Sequence, residues 1–176
     1  MLITSGYNHE SICRLQITLG GARKAWEQPV HSKICCPVIS RGHVYWVWQK
    51  LHCLDFATGE QRWEGGNFGD AGSCVMTDDG KLLVWAARGN LVLAESAAAS
   101  PRAYKPLAEI KGIFATDVWP HVVLADGRVF CKDRAGNLKC FTLKRDGNGV
   151  PMMHKIRGSI TSSGNLGLFH RVKQEY

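Results

Sequence analysis

The chain has 176 residues, of which 45% are hydrophobic and 21% charged, with a formal net charge of +7. This composition suits one folded domain and excludes an intrinsically disordered chain, and no apolar run approaches the length of a membrane-spanning helix. Residues 1–143 carry 16 Lys and Arg against 13 Asp and Glu, whereas residues 144–176 carry 6 against 2. The basic excess is therefore concentrated in the C-terminal tail, which disfavours a nucleic-acid-binding domain.

The N-terminal residues 1–6 show no basic region followed by an apolar stretch, so no secretory signal is visible. The chain starts abruptly inside a predicted strand at Leu2. We therefore expect the chain to be a C-terminal fragment of a longer protein, with localisation left open.

One unit recurs along the chain, and each copy contains a short apolar strand, a glycine turn, a second strand, a tight turn and a third strand. Full copies span residues 37–55, 74–94 and 121–143, after an incomplete copy at residues 2–17. The turn glycines are Gly42, Gly80 and Gly127, separated by 38 and 47 residues. In the first full copy, Gln49-Lys50 is the predicted tight turn. Because β-branched and aromatic residues crowd the runs and the period is near 40, the pattern predicts β-propeller blades.

A distinctive string follows the third strand of the first full copy. It contains Asp55, Thr58, Gly59, Glu60 and Trp63, with glycine suited to a tight turn and tryptophan suited to filling the gap between neighbouring blades. A weaker echo at residues 19–26 ends in Trp26, 37 residues before Trp63. The second and third copies lack the string.

The pattern Leu-Asp-x-x-Thr-Gly-Glu-x-x-Trp at residues 54–63 resembles the signature of the PQQ-like β-propeller repeat. That repeat occurs in quinoprotein alcohol dehydrogenases and in the non-enzymatic propeller lipoprotein that helps assemble outer-membrane barrels. The resemblance covers residues 1–143, and it implies a partial all-β propeller of about three and a half blades of antiparallel four-stranded sheets. The resemblance implies structural roles for the string residues, Trp26 and the turn glycines. Members of this family are often periplasmic or exported.

The enzymes of this family bind pyrroloquinoline quinone and calcium, with adjacent cysteines in a strained disulfide against the cofactor. Cys35 and Cys36 are the only candidates for that role, and they are weak ones because no acidic cluster offers ligands for calcium. The seven histidines and seven cysteines show no paired metal-ligand spacing. We therefore predict no catalytic residue, no metal ligand and no cofactor.

The favoured function is a non-catalytic propeller that serves as a protein-binding or scaffold module. Its expected partners are another protein, missing N-terminal blades, or a second copy that associates through open blade edges. One alternative is a fragment of a PQQ-dependent alcohol dehydrogenase of the polyvinyl-alcohol type. The other is nucleic-acid binding through the basic, loop-rich tail at residues 144–176, in which residues 166–172 are a predicted short strand.

Overall fold

The computed structural model describes residues 1–145, 147 and 151–155. All regular secondary structure in that part of the chain is β, and none of it is a helix that could cross a membrane. The strands are β1 (Leu2–Ser5), β2 (Ser11–Thr18), β3 (Gly21–Gln28), β4 (Val38–Ser40), β5 (His43–Asp55), β6 (Gln61–Gly69), β7 (Gly72–Met76), β8 (Lys81–Ala86), β9 (Asn90–Glu95), β10 (Pro106–Ile110), β11 (Val123–Ala125), β12 (Arg128–Lys132), β13 (Leu138–Arg145) and β14 (Pro151–Lys155).

These strands form four antiparallel sheets, each built from strands that are consecutive in the chain. Sheet I contains β1 to β3, sheet II contains β4 to β6, sheet III contains β7 to β10, and sheet IV contains β11 to β14. Neighbours in the chain are also hydrogen-bonded neighbours in each sheet. The predicted all-β class and the antiparallel pairing are therefore confirmed, while sheets I and II contain three strands each in place of the predicted four.

Strand β5 is folded back on itself. Its 13 residues would span about 43 Å if straight, yet the Phe56 N–H donates to the Gly42 carbonyl at 2.9 Å, which joins the two ends of the strand. Gln49, near the middle, has a φ of 57°. Because β4 pairs with the first half and β6 with the second, the chain crosses sheet II four times. The predicted tight turn at Gln49-Lys50 lies inside this strand.

The core lies between successive sheets. One cluster of buried side chains joins sheets I, II and III, and a second joins sheets III and IV. Strand β8 contributes to both, because Leu82, Val84 and Ala86 belong to the first cluster while Leu83 and Trp85 belong to the second. Alternate residues of a strand face opposite sides, so the continuous apolar run of β8 reflects burial on both faces.

The last sheet continues past residue 143, where the sequence analysis ends the repeats. Strand β13 extends to Arg145 and pairs with β14, with Thr142 opposite His154 and Leu143 opposite Met153. The loop-rich tail predicted from residue 144 therefore includes part of sheet IV. Most of its other residues, among them the predicted strand at 166–172, lie outside the described residues.

Candidate functional site

The indole of Trp26 connects sheet I to the turn that follows β5 in sheet II. Its Nε1–H donates to the Phe56 carbonyl at 3.0 Å. A Cβ added to Gly59 would lie 2.6 Å from the Trp26 ring, so the ring rests directly on the glycine backbone. Gly59 also has a φ of 78°, a conformation that glycine adopts without a steric penalty. The tryptophan and the Thr-Gly turn of the next unit thus form a single inter-sheet contact.

Arg14 on β2 adds a hydrogen bond and a cation–π interaction to the same inter-sheet contact. Its guanidinium donates to the Ala57 carbonyl at 3.0 Å, and its Cζ lies 4.6 Å from the centroid of the Phe56 ring. Sheet I therefore holds the 55–59 turn with one aromatic ring and one cation. Sequence reasoning predicted the tryptophan and missed the arginine, since Arg14 lies outside the repeat string and its weaker echo.

Asp55 organises the turn from within. Its Oδ1 accepts hydrogen bonds from the backbone N–H groups of Ala57 and Thr58 at 2.8 and 3.0 Å, and its Oδ2 accepts from Arg62 at 2.7 Å. The Thr58 hydroxyl accepts from the Glu60 N–H at 3.2 Å. The Arg62 hydrogen bond and the Thr58 N–H lower the pKa of Asp55 to about 2. Asp55, Thr58 and Glu60 therefore shape the turn on which Trp26 rests.

Replacing Asp55 with asparagine is expected to lower the free energy of unfolding at neutral pH by about 1 kcal/mol, because a charge-assisted bond to Arg62 is lost. The folded pKa of Asp55 is depressed, so its contribution is present above about pH 4 and is lost as the pH falls toward 2. Urea unfolding of both proteins between pH 6 and about 2 measures this difference. A difference in unfolding free energy between the two proteins that stays constant across this pH range would contradict the stabilising role of the ionised Asp55.

Trp63 on β6 occupies the next interface, but its contacts differ from those of Trp26. It is 5% exposed and lies between Tyr45 and Tyr104, with ring centroids 6.0 and 6.3 Å away. Its Nε1–H finds no acceptor among the described residues. Matching Leu91 to Leu51 makes Ser96 the equivalent of Phe56. The Ser96 carbonyl already accepts hydrogen bonds from the Ala99 and Ser100 N–H groups at 3.1 and 2.8 Å.

The missing Thr-Gly string in the second full copy explains this difference. Its replacement turn directs the Ser96 carbonyl toward its own backbone, so the indole of Trp63 has no equivalent acceptor. The Tyr45 hydroxyl instead accepts from the Ala97 N–H at 3.0 Å. The packing role predicted for Trp63 agrees with its burial, while the polar contact at this interface comes from a tyrosine that sequence reasoning did not single out.

The three predicted turn glycines all lie in turns between the first and second strands of their units. Gly42, Gly80 and Gly127 have φ values of 77°, 81° and 67°. Asp126, which precedes the last of them, also has a positive φ of 50°. The turn chemistry read from the sequence is therefore present in the structure.

The adjacent cysteines do not act together. Cys35 is 3% exposed, and its sulfur accepts from the Val47 N–H at 3.3 Å. Cys36 is exposed, and both thiols are free. The two sulfurs share no face for a planar cofactor, and no three potential metal ligands converge in the described part of the chain. These residues do not fit the pyrroloquinoline quinone and calcium site of the enzyme alternative.

A cleft of about 700 Å³ lies between sheets III and IV. Its apolar lining includes Val75, Met76, Leu93 and Leu124. Its charged lining consists of Asp78, Asp79 and Asp126 together with Lys81 and Lys144. Asp79 is paired with Lys81 at 2.5 Å. The two Asp-Gly turns occupy equivalent places in their units, so the repeat alignment was the signal that could have placed these carboxylates at one end of neighbouring sheets.

The chain matches no protein-family model and no curated protein. The PQQ-like interpretation therefore rests on the repeat, on its string at residues 54–63, and on the contact between Trp26 and Gly59.

Proposed function

We propose that this protein is a non-catalytic β-propeller module of the PQQ-like type that binds an extended segment of a partner protein. The contact that carries the fold assignment is Trp26 on the Thr58-Gly59 turn. A tryptophan at the end of one unit that covers the Thr-Gly turn of the next is the arrangement expected if the repeat string organises neighbouring blades. On this proposal the four consecutive sheets are four blades, half a blade more than the sequence predicts.

The cleft between sheets III and IV is the proposed binding surface. Two edge strands border it, since β7 ends sheet III and β11 ends sheet IV. Met76 on β7 and Leu124 on β11 contribute to its lining. An edge strand has backbone N–H and C=O groups that no neighbouring strand uses, so an extended peptide can add to it while its side chains enter the cleft. This geometry favours a peptide over a compact small molecule.

The charges around the cleft indicate which side chains a bound peptide would carry. Asp78 and Asp126 line it and make no ion pair with another described residue, whereas Asp79 is paired with Lys81, and Lys144 is the second lining cation. The surfaces between them are apolar, with Val75 and Leu93 among the lining. The complementary segment has apolar side chains flanked by Lys or Arg, because carboxylates next to an apolar surface attract cations and disfavour like charges.

Selection of random peptides on the purified protein, followed by fluorescence anisotropy of the selected peptides, tests this proposal. We expect basic and apolar peptides to bind, and we expect the double variant Asp78→Asn/Asp126→Asn to weaken them about threefold to tenfold through its two lost rim charges. The double variant Asp70→Asn/Asp117→Asn removes two exposed aspartates that do not line this cleft and is expected to leave binding unchanged.

Three results would contradict the proposal. The first is the absence of any selected peptide, and the second is a selected set that binds both double variants equally well. The third is saturable binding of pyrroloquinoline quinone and calcium together with dye-linked oxidation of an alcohol, which would restore the dehydrogenase alternative.

A further inference from the structure

Two buried cysteines from different sheets meet in the core. Cys35 lies three residues before β4 of sheet II, and Cys74 lies on β7 of sheet III. Both are 3% exposed and belong to the same core cluster. They are separated by 38 residues that include all of β5 and β6, so a bond between them would join two sheets.

The first half of β5 aligns the two sulfurs. The Cys35 sulfur accepts from the Val47 N–H at 3.3 Å, and the Cys74 sulfur lies 3.9 Å from the Tyr45 carbonyl oxygen. Tyr45 and Val47 are two residues apart on one strand, so the Tyr45 carbonyl and the Val47 N–H point to the same edge of it. Both sulfurs therefore lie against the same short stretch of the β5 backbone. This is a paired arrangement, in contrast to the adjacent residue Cys36, which is exposed.

The pair is chemically asymmetric. The neighbouring Cys74 thiol, together with the N–H of Val47, lowers the pKa of Cys35. The neighbouring Cys35 thiol and burial raise the pKa of Cys74. Cys53 and Cys131 are also buried, and burial raises the pKa of each to about 12. A lowered thiol pKa increases the thiolate fraction, which is the nucleophile in disulfide exchange.

Cys35 also lies in a segment with few backbone hydrogen bonds. Residues 29–37 connect β3 to β4, and no backbone-to-backbone hydrogen bond outside the strands involves them. They are held mainly through side chains, such as the Trp46 Nε1–H that donates to the His31 carbonyl at 2.9 Å. Local opening of such a segment costs less than global unfolding, and it exposes the buried thiol to a small oxidant.

We infer that Cys35 and Cys74 are a thiol pair that forms a reversible disulfide between sheets II and III by exchange with a low-molecular-weight disulfide. The Cys35 thiolate attacks one sulfur of the small disulfide, whose S–S bond breaks and releases one thiolate. The Cys74 thiolate then attacks the Cys35 sulfur and displaces the second small thiolate. Two protein S–H bonds are lost, one protein S–S bond forms, and the small disulfide is reduced to two thiols, which take up the two protons.

The test is incubation of the native protein with oxidised glutathione, followed by alkylation, proteolysis without reductant and mass spectrometry. We expect a Cys35–Cys74 linked peptide, two released glutathione molecules per chain, and a higher urea midpoint that returns to its starting value with dithiothreitol. Cys36→Ser is the matched control, and it is expected to form the same linked peptide.

Two further variants separate the roles of the two thiols. Cys74→Ala is expected to accumulate a glutathione adduct on Cys35, because the resolving thiol is gone, and Cys35→Ala is expected to leave Cys74 unmodified. Circular dichroism verifies that each variant is folded, and the linked peptide of the unaltered protein tests the pair without any substitution. A Cys35–Cys36 link, modification of Cys36 alone, or no protein disulfide at all would overturn the inference.

Discussion

Replacing Gly89 with alanine is expected to destabilise the protein by about 3–5 kcal/mol, since two independent penalties coincide at this turn. Gly89 has a φ of 91°, which an L side chain rarely adopts. An added Cβ would lie 2.6 Å from the Phe114 backbone nitrogen and 3.0 Å from that of Ile113. The Gly89 carbonyl also accepts from the Ile113 N–H at 3.0 Å, which keeps the two segments close.

The collision is severe because backbone atoms form the opposing surface. A flexible side chain could rotate away, but moving the Phe114 backbone would disturb the edge-to-face contact between its ring and Trp85, whose centroids are 5.7 Å apart. Trp85 is completely buried between sheets III and IV. The substitution should therefore loosen the packing of these two sheets.

Gly127→Ala is the matched control for the backbone conformation. Gly127 has a φ of 67°, and no atom lies within 4 Å of an added Cβ. This substitution should lower the free energy of unfolding by about 1 kcal/mol, which is the penalty for the positive φ alone. Urea unfolding monitored by tryptophan fluorescence measures both variants, with equal m-values indicating that the comparison is valid. Equal losses at the two glycines would show that the predicted collision with Phe114 does not occur.

The local features of this fold could be predicted because they depend on neighbouring residues. The turns at Gly42, Gly80 and Gly127 follow from the cost of a positive φ, and the tight turn at Gln49-Lys50 follows from the apolar runs on either side of it.

Features that depend on distant residues could not be predicted. Strand β14 has no clear apolar alternation and is a strand because β13 provides a partner for its backbone. The cleft depends on how sheets III and IV are placed relative to each other. Likewise, Cys74 looks like any small apolar residue of a strand until the fold brings it to Cys35.

The contact between Trp26 and Gly59 gives the most direct test of how the repeat string organises neighbouring sheets. Gly59→Ala is expected to cost about 2–4 kcal/mol, because the added methyl group meets the indole ring and the backbone is strained. A Cβ there would lie 2.6 Å from the ring, and the φ of Gly59 is 78°. Gly42→Ala, at a φ of 77° with no atom within 4 Å of the added Cβ, is the control for strain alone.

A double-mutant cycle isolates the contact itself. Trp26→Ala is expected to destabilise the protein by about 2–3 kcal/mol, through lost packing on the turn and the lost hydrogen bond to Phe56. In the Trp26→Ala background, Gly59→Ala should cost only about 1 kcal/mol, because the ring that opposed the methyl group is gone. The coupling between the two positions should therefore reach about 1–3 kcal/mol, measured from the four urea unfolding curves.

A control cycle at a second glycine shows whether the coupling arises from the contact between Trp26 and Gly59. The same cycle between Trp26 and Gly42 should give additive losses, since no side chain lies near an added Cβ at Gly42. Coupling at Gly59 with additivity at Gly42 would establish that the tryptophan of sheet I packs against the Thr-Gly turn of sheet II. Additive losses at both glycines would remove the inter-sheet contact on which the propeller proposal depends, and the binding cleft would then need a different structural basis.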